Sequence, residues 1–88
     1  ALLYHGTSHR VQEKILEEGI KPMGRKYTHL SINIEEARKV GKRRDENPVI
    51  FKIKAGEAYR DGHVFYKTGK NIFLTDRVPP VYIKKEIG

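Results

Sequence analysis

Two short stretches carry residue types that could hold an anion and a sugar hydroxyl. Tyr4-His5-Gly6-Thr7 closes a short apolar run and precedes residues fit to open a helix. A His in such a turn can hydrogen-bond a sugar hydroxyl, a Gly lets a ligand approach the backbone closely, and the N-terminus of a following helix favours an anion. The plain alternative is an ordinary strand-to-helix turn whose His is merely exposed. The second stretch, Met23-Gly24-Arg25-Lys26-Tyr27-Thr28-His29-Leu30-Ser31, brings cations, an aromatic ring, a second His and a hydroxyl together before a strand. If Tyr27 to Ser31 is extended, Tyr27, His29 and Ser31 share one face. Its alternative is a solvated loop for Arg25 and Lys26, with His29 filling a gap in the core.

Other chemistries lack their signatures. The chain has no Cys, so neither a disulfide nor a thiolate metal site is available. Its four His are scattered, without the spacing of a metal-binding helix. No Walker loop, no G-x-G-x-x-G and no Ser-His-Asp arrangement competes. No metal is expected.

Charge narrows the partners. Eighteen Lys and Arg face eleven Asp and Glu, a formal net charge of +7. Such an excess attracts polyanions through counterion release on phosphate binding, although a basic surface also serves plain solubility. No apolar run approaches the about 20 residues of a membrane span, and His5, Ser8 and His9 interrupt the apolar start too early for a signal peptide. A soluble, cytoplasmic protein that binds no membrane is the expectation.

The elements that must position these residues follow from pattern. Eighty-eight residues fit one small domain, residues 1–88, without repeats or an internal linker. Leu2 to His5 reads as a strand ending at Gly6, with Thr7 and Ser8 as N-cap candidates. Val11, Ile15 and Leu16 recur at helical spacing, and Gly19 suits the helix end. Leu30 to Asn33 reads as a second strand, and Glu35 to Lys42 as a helix with Ala37 and Val40 inward. Lys42 to Pro48 is a solvated turn. Val49, Phe51 and Ile53 alternate with Ile50, Lys52 and Lys54 as a strand does, and Gly56 and Gly62 bracket a turn or short helical piece. His63 to Tyr66, Ile72 to Thr75 and Val81 to Ile83 complete the strands. Helices early and strands late argue for an α+β fold.

The chain resembles the RNA 2′-phosphotransferase family. The resemblance rests on Leu3-Tyr4-His5-Gly6-Thr7, Gly24-Arg25, His29-Leu30-Ser31 and Ala37-Arg38-Lys39-Val40-Gly41 in order and spacing. Pro48-Val49, Gly62-His63-Val64-Phe65-Tyr66 and the run Ile72 to Pro80 continue it over essentially the whole chain. The resemblance implies the split antiparallel β-sheet of ADP-ribosyltransferases, with short helices. It implies that residues 1–88 are the NAD-binding lobe and that the family's N-terminal winged-helix lobe is absent from this chain. By the same resemblance, His5 holds a ribose of NAD, the Gly6 backbone binds the nicotinamide amide, and Thr7 helps hold the adenosine side. His29, Leu30 and Ser31 flank the nicotinamide, Ile72 is the hydrophobic residue of the third motif, and Arg25 is catalytic. Tyr27 and Asn71 depart from the pattern, since many members have His and Gly there.

The implied reaction has two steps. A 2′-phosphate oxygen of RNA attacks C1 of the nicotinamide ribose and nicotinamide leaves. The neighbouring ribose hydroxyl then attacks phosphorus and expels the RNA 2′-oxygen, giving repaired RNA and ADP-ribose cyclic phosphate. Spliced tRNA is the expected substrate, NAD the co-substrate, and a monomer the expected state. The apolar Ile72 suits this acceptor. Transferases that modify proteins often place a Glu in the third motif to activate a weak nucleophile, whereas a phosphomonoester is already largely dianionic at neutral pH, its second pKa being near ~6. That dianion must then be placed beside the NAD pyrophosphate, itself an anion, and Arg binds phosphate oxygens with a planar, permanently charged fork. Capping of terminal phosphates of nucleic acid by ADP-ribose, and a non-catalytic NAD- or RNA-binding role, stay open as alternatives.

Overall fold

A computed structural model describes residues 1–22 and 24–88; Met23 of the second stretch lies outside the described residues. Among the described residues six strands form one antiparallel sheet: β1 (Leu3–Thr7), β2 (Thr28–Ser31), β3 (Val49–Ile53), β4 (Tyr66–Thr68), β5 (Ile72–Thr75) and β6 (Ile83–Ile87), in the order β4-β5-β2-β1-β3-β6. Three short helices, α1 (Gln12–Glu18), α2 (Ile34–Gly41) and α3 (Ala55–Arg60), pack beside it. The fold is α+β, as the sequence implies, although helices and strands interleave along the chain rather than separating into halves.

The sheet is split at its middle. β1 pairs with β3 along its length, from Leu3↔Ile53 to Thr7↔Val49. With β2 it shares one registered pair, Tyr4↔Ser31. Beyond that pair the ladder is not continued, and the His5 side chain enters the gap. Its Nδ1–H donates to the His29 carbonyl at 3.1 Å, so an imidazole stands where a backbone hydrogen bond would otherwise close the strands.

The core lies on one side of the sheet. Leu30, Val49, Phe51 and Ile53 have no exposed surface and meet Ile15, Ile20, Ala58, Val78 and Tyr82 from the flanking elements. On the other side, α2 crosses β1 at backbone contact. A methyl carbon at Gly6 would lie 1.9 Å from the Ala37 carbonyl oxygen, and one at Gly41 would lie 2.6 Å from Pro48 Cβ and 3.1 Å from the Gly6 carbonyl carbon. Gly6 is therefore needed for packing against a helix, a cause that lies outside its own stretch of sequence.

Several boundaries shift for identifiable reasons. Asn33 caps α2, its side chain accepting the Glu36 N–H at 2.8 Å, so β2 ends earlier at Ser31. Ser8 caps a 3-10 turn, His9–Val11, ahead of α1. Pro79-Pro80 opens a second 3-10 turn, Pro80–Tyr82, so the last strand lies at Ile83–Ile87 and not at Val81 to Ile83. β4 likewise begins only at Tyr66.

Candidate active site

The loop from Gly19 to Tyr27 carries Arg25 and is tied down at its start. Ile20 pairs with Val78 through two backbone hydrogen bonds of 2.9 and 2.8 Å. The Arg77 guanidinium donates to the Glu18 carbonyl at 2.8 Å, where a helix C-terminus welcomes a cation. The Arg25 N–H then turns back to the Pro22 carbonyl at 3.1 Å. β1 and α2 fix the opposite wall. Between them lies an open pocket of about 200 Å³ in which His5, Gly6, Thr7, Arg25, Thr28 and His29 meet, with Lys14 of α1 and Arg44 of the turn after α2.

Both imidazoles of the pocket are oriented by backbone carbonyls. His5 donates through Nδ1 to His29, and His29 donates through Nδ1 to the Tyr27 carbonyl at 3.1 Å. A carbonyl only accepts, so each ring donates through Nδ1 and, among the described residues, keeps its Nε2 for another partner. Burial holds the His5 imidazole below the ordinary histidine range; the hydrogen bond to His29 opposes this, and the Arg44 charge adds to it. At neutral pH the His5 Nε2 is thus an acceptor, suited to a hydroxyl and indifferent to an anion.

This burial has a pH signature. A depressed native value means that the unfolded chain protonates first as pH falls through about 6.5, the ordinary histidine value. Stability contributed by the neutral ring is full above that pH and is lost below it. His5→Asn retains a donor for the His29 carbonyl and cannot titrate. The wild-type protein is expected to lose more thermal stability than His5→Asn between pH 7.5 and 5, and parallel melting curves would remove the assignment.

Cations dominate the rim. Among the described residues neither Arg25, Lys14 nor Arg44 is paired with a carboxylate, whereas Lys21 is engaged by Glu18 at 2.9 Å. Arg44 belongs to the run read from sequence as a solvated turn. Its position follows from Asp45, whose carboxylate accepts the backbone N–H of Asn47 at 3.0 Å and of His9 at 3.1 Å, and the His9 ring at 3.2 Å. These donors hold Asp45 below the usual carboxylate range and clasp the turn to the end of β1. Lys14, Arg44 and Thr28 carry no sequence signal that singles them out. Thr28 Oγ1 is buried and has no hydrogen-bond partner among the described residues, an orphan a bound polar ligand atom can satisfy.

The remaining residues singled out in the sequence sit elsewhere. Leu30 is wholly within the core. Ser31 is buried where the sheet halves join, and Ile72, the first residue of β5, is its register partner. None of the three lines the pocket. Register does place His29 and Ser31 on one face of β2, as expected for an extended segment. No group of three or more metal-ligating side chains occurs among the described residues, and none of their helices is long and apolar enough to cross a membrane.

Comparison with known proteins gives one consistent answer. Residues 1–77 match the model of the RNA 2′-phosphotransferase, Tpt1 / KptA family. A protein of Acetivibrio thermocellus is 45% identical over 85 residues, which covers 97% of this chain and 47% of that protein. One of Flavobacterium johnsoniae is 49% identical over 82 residues, 93% of this chain and 44% of its own length. One of Haloarcula marismortui is 43% identical over 83 residues, 94% and 37%. All three are named probable RNA 2′-phosphotransferases. The chain spans less than half the length of each.

Proposed function

Because the chain belongs to the Tpt1/KptA family of RNA 2′-phosphotransferases, we propose that residues 1–88 are an NAD-binding lobe serving transfer of a 2′-phosphate from RNA to NAD. The observation that carries this reading is the convergence of His5, Gly6, Thr7, Arg25 and His29 on one pocket from separate strands and a loop. The neutral His5 accepts a ribose hydroxyl at Nε2. Thr7, at the end of β1, lies toward the adenosine side, and His29 flanks the nicotinamide, whose amide meets the backbone of Gly6. Leu30, Ser31 and Ile72 act behind this wall, through the position they give β2 and β5. Arg25, exposed and without a carboxylate partner among the described residues, meets the phosphate.

NAD supplies the electrophilic ribose carbon. The chain's part is to orient it, to keep acceptor and pyrophosphate together despite their like charges, and to stabilise negative charge on phosphorus. The charge of +7 supports a polyanionic acceptor, and spliced tRNA carrying a 2′-phosphate, acted on by a cytoplasmic monomer, is the substrate proposed. Titration calorimetry tests the first requirement. The protein is expected to bind NAD, with about tenfold weaker binding in His5→Ala for loss of one oriented hydrogen bond and its ring contacts. Equal binding by the variant would separate the pocket from NAD.

A further inference from the structure

We propose that Tyr27 and Tyr66 form a stacking ledge for an unpaired RNA base adjoining the nucleotide whose 2′-phosphate enters the pocket; the proposal rests on the RNA-acting reading above. Strand register lays out the path. His29 is opposite Leu74, and Leu74 is opposite Tyr66, so the three share one face in a row running from the pocket across β2 and β5 to the free edge at β4. Every residue of β4 is exposed, and Tyr66 keeps 54% of its surface in water. Tyr27, half-buried, lines the pocket itself. The two rings lie 6.0 Å apart between centroids and are inclined by 57°. Being tilted rather than stacked, they do not cover each other's faces, and with Lys26 standing over the Tyr27 ring it is the exposed Tyr66 that offers a face to a third aromatic group.

Charge beside the rings selects the occupant. Lys26 Nζ stands 5.8 Å from the Tyr27 centroid, and Arg25 is its neighbour in sequence. Neither cation has a carboxylate partner among the described residues. Accessible aromatic rings interleaved with cations that have no carboxylate partner are what single-stranded nucleic acid requires, one for the base and the other for the phosphate. A paired base cannot use the ledge, because its faces are taken within the helical stack. The ledge starts at the wall that holds Arg25, so a chain whose phosphate lies at Arg25 has its flanking base within reach of Tyr27 and Tyr66. The adenine of NAD is the competing occupant, and the test separates the two.

The test is two-substrate kinetics of the full-length protein with NAD and a 2′-phosphorylated oligoribonucleotide whose flanking nucleotide is unpaired. Tyr66→Ala is expected to raise KM for the RNA about tenfold, the effect of losing one base–aromatic stack, with kcat and KM for NAD unchanged. Tyr66→Phe keeps the ring and should behave as wild type. An abasic flanking position should raise the wild-type KM by the same factor and leave Tyr66→Ala unaffected, since the two changes remove one contact. An unchanged RNA KM in Tyr66→Ala, or a raised KM for NAD instead, overturns the ledge while leaving phosphate transfer intact. If the wild type transfers no phosphate, the reading of its activity fails. The ledge is then judged by fluorescence anisotropy with the unphosphorylated oligonucleotide, whose binding Tyr66→Ala must weaken and Tyr66→Phe must not.

Discussion

Replacing Arg25 by alanine is expected to slow formation of repaired RNA by about 10²-fold or more, the usual scale for removing a group that stabilises transition-state charge. Arg25 is exposed on the pocket wall, its side chain free of carboxylate partners among the described residues and its backbone fixed by the bond to Pro22. Stability should therefore change by less than ~0.5 kcal/mol, as at other exposed sites. A large rate effect with an unchanged melting temperature separates catalysis from folding. Arg25→Lys should restore only part of the rate, because lysine keeps the charge and loses the two-pronged fork. If Arg25 acts mainly on charge at phosphorus, the ADP-ribosylated RNA intermediate accumulates in Arg25→Ala, visible on a gel over time. Slow kinetics without that species would move Arg25 to binding or to the first step. Kinetics equal to wild type would remove it from the site.

Gly6→Ala should produce the largest loss of stability of any single methyl group added to this chain's first strand. The new carbon would lie 1.9 Å from the Ala37 carbonyl oxygen, a helix backbone atom that cannot swing aside as a side-chain tip can. α2 must lift from β1, and Gly41 can no longer rest against the Gly6 backbone. Overpacking of a core commonly costs ~1–3 kcal/mol; a rigid backbone contact belongs at the upper end or beyond it. For a domain of this size that corresponds to a fall in melting temperature of roughly 10 °C or more, from a marginal starting stability. Gly24→Ala is the control. Unlike Gly6 it has a positive φ, 68°, and no heavy atom of the described residues stands within 4 Å of a methyl carbon placed there, so about 1–2 kcal/mol of backbone strain is all it should cost. Were Gly6 present only so that a ligand can approach, Gly6→Ala would lose NAD binding and keep its melting temperature.

The contrast between these two residues shows what a sequence discloses. That His5 and Arg25 belong together was legible from the order of the family's motifs rather than from local pattern, since His5 closes an apolar run; both line one pocket. The reason for Gly6 was not, since the helix that needs the space begins at Ile34, far along the chain. The same holds for the His5–His29 contact and for Arg44, which reads as one cation in a solvated run until Asp45 and His9 are seen to clasp that turn. β6 was misplaced because Lys84, Lys85 and Glu86 show no buried alternation on an edge strand, while the apolar Val81 ahead of them is the exposed part of a 3-10 turn. Leu30 reads as part of a functional motif and is a core residue; nothing local distinguishes the two. Tyr27, a departure from the family pattern, gained a role only when the register of β4 brought Tyr66 beside it.

The central claim is transfer of the 2′-phosphate itself to NAD, and following the label tests it most directly. An oligoribonucleotide carrying a radiolabelled 2′-phosphate is incubated with NAD and the full-length protein, and products are separated by chromatography. The account predicts that the label leaves the RNA and appears in ADP-ribose cyclic phosphate, with one nicotinamide released per phosphate and a free 2′-hydroxyl on the RNA. Label released as inorganic phosphate without NAD, or label that stays on RNA bearing a stable ADP-ribose, would contradict it.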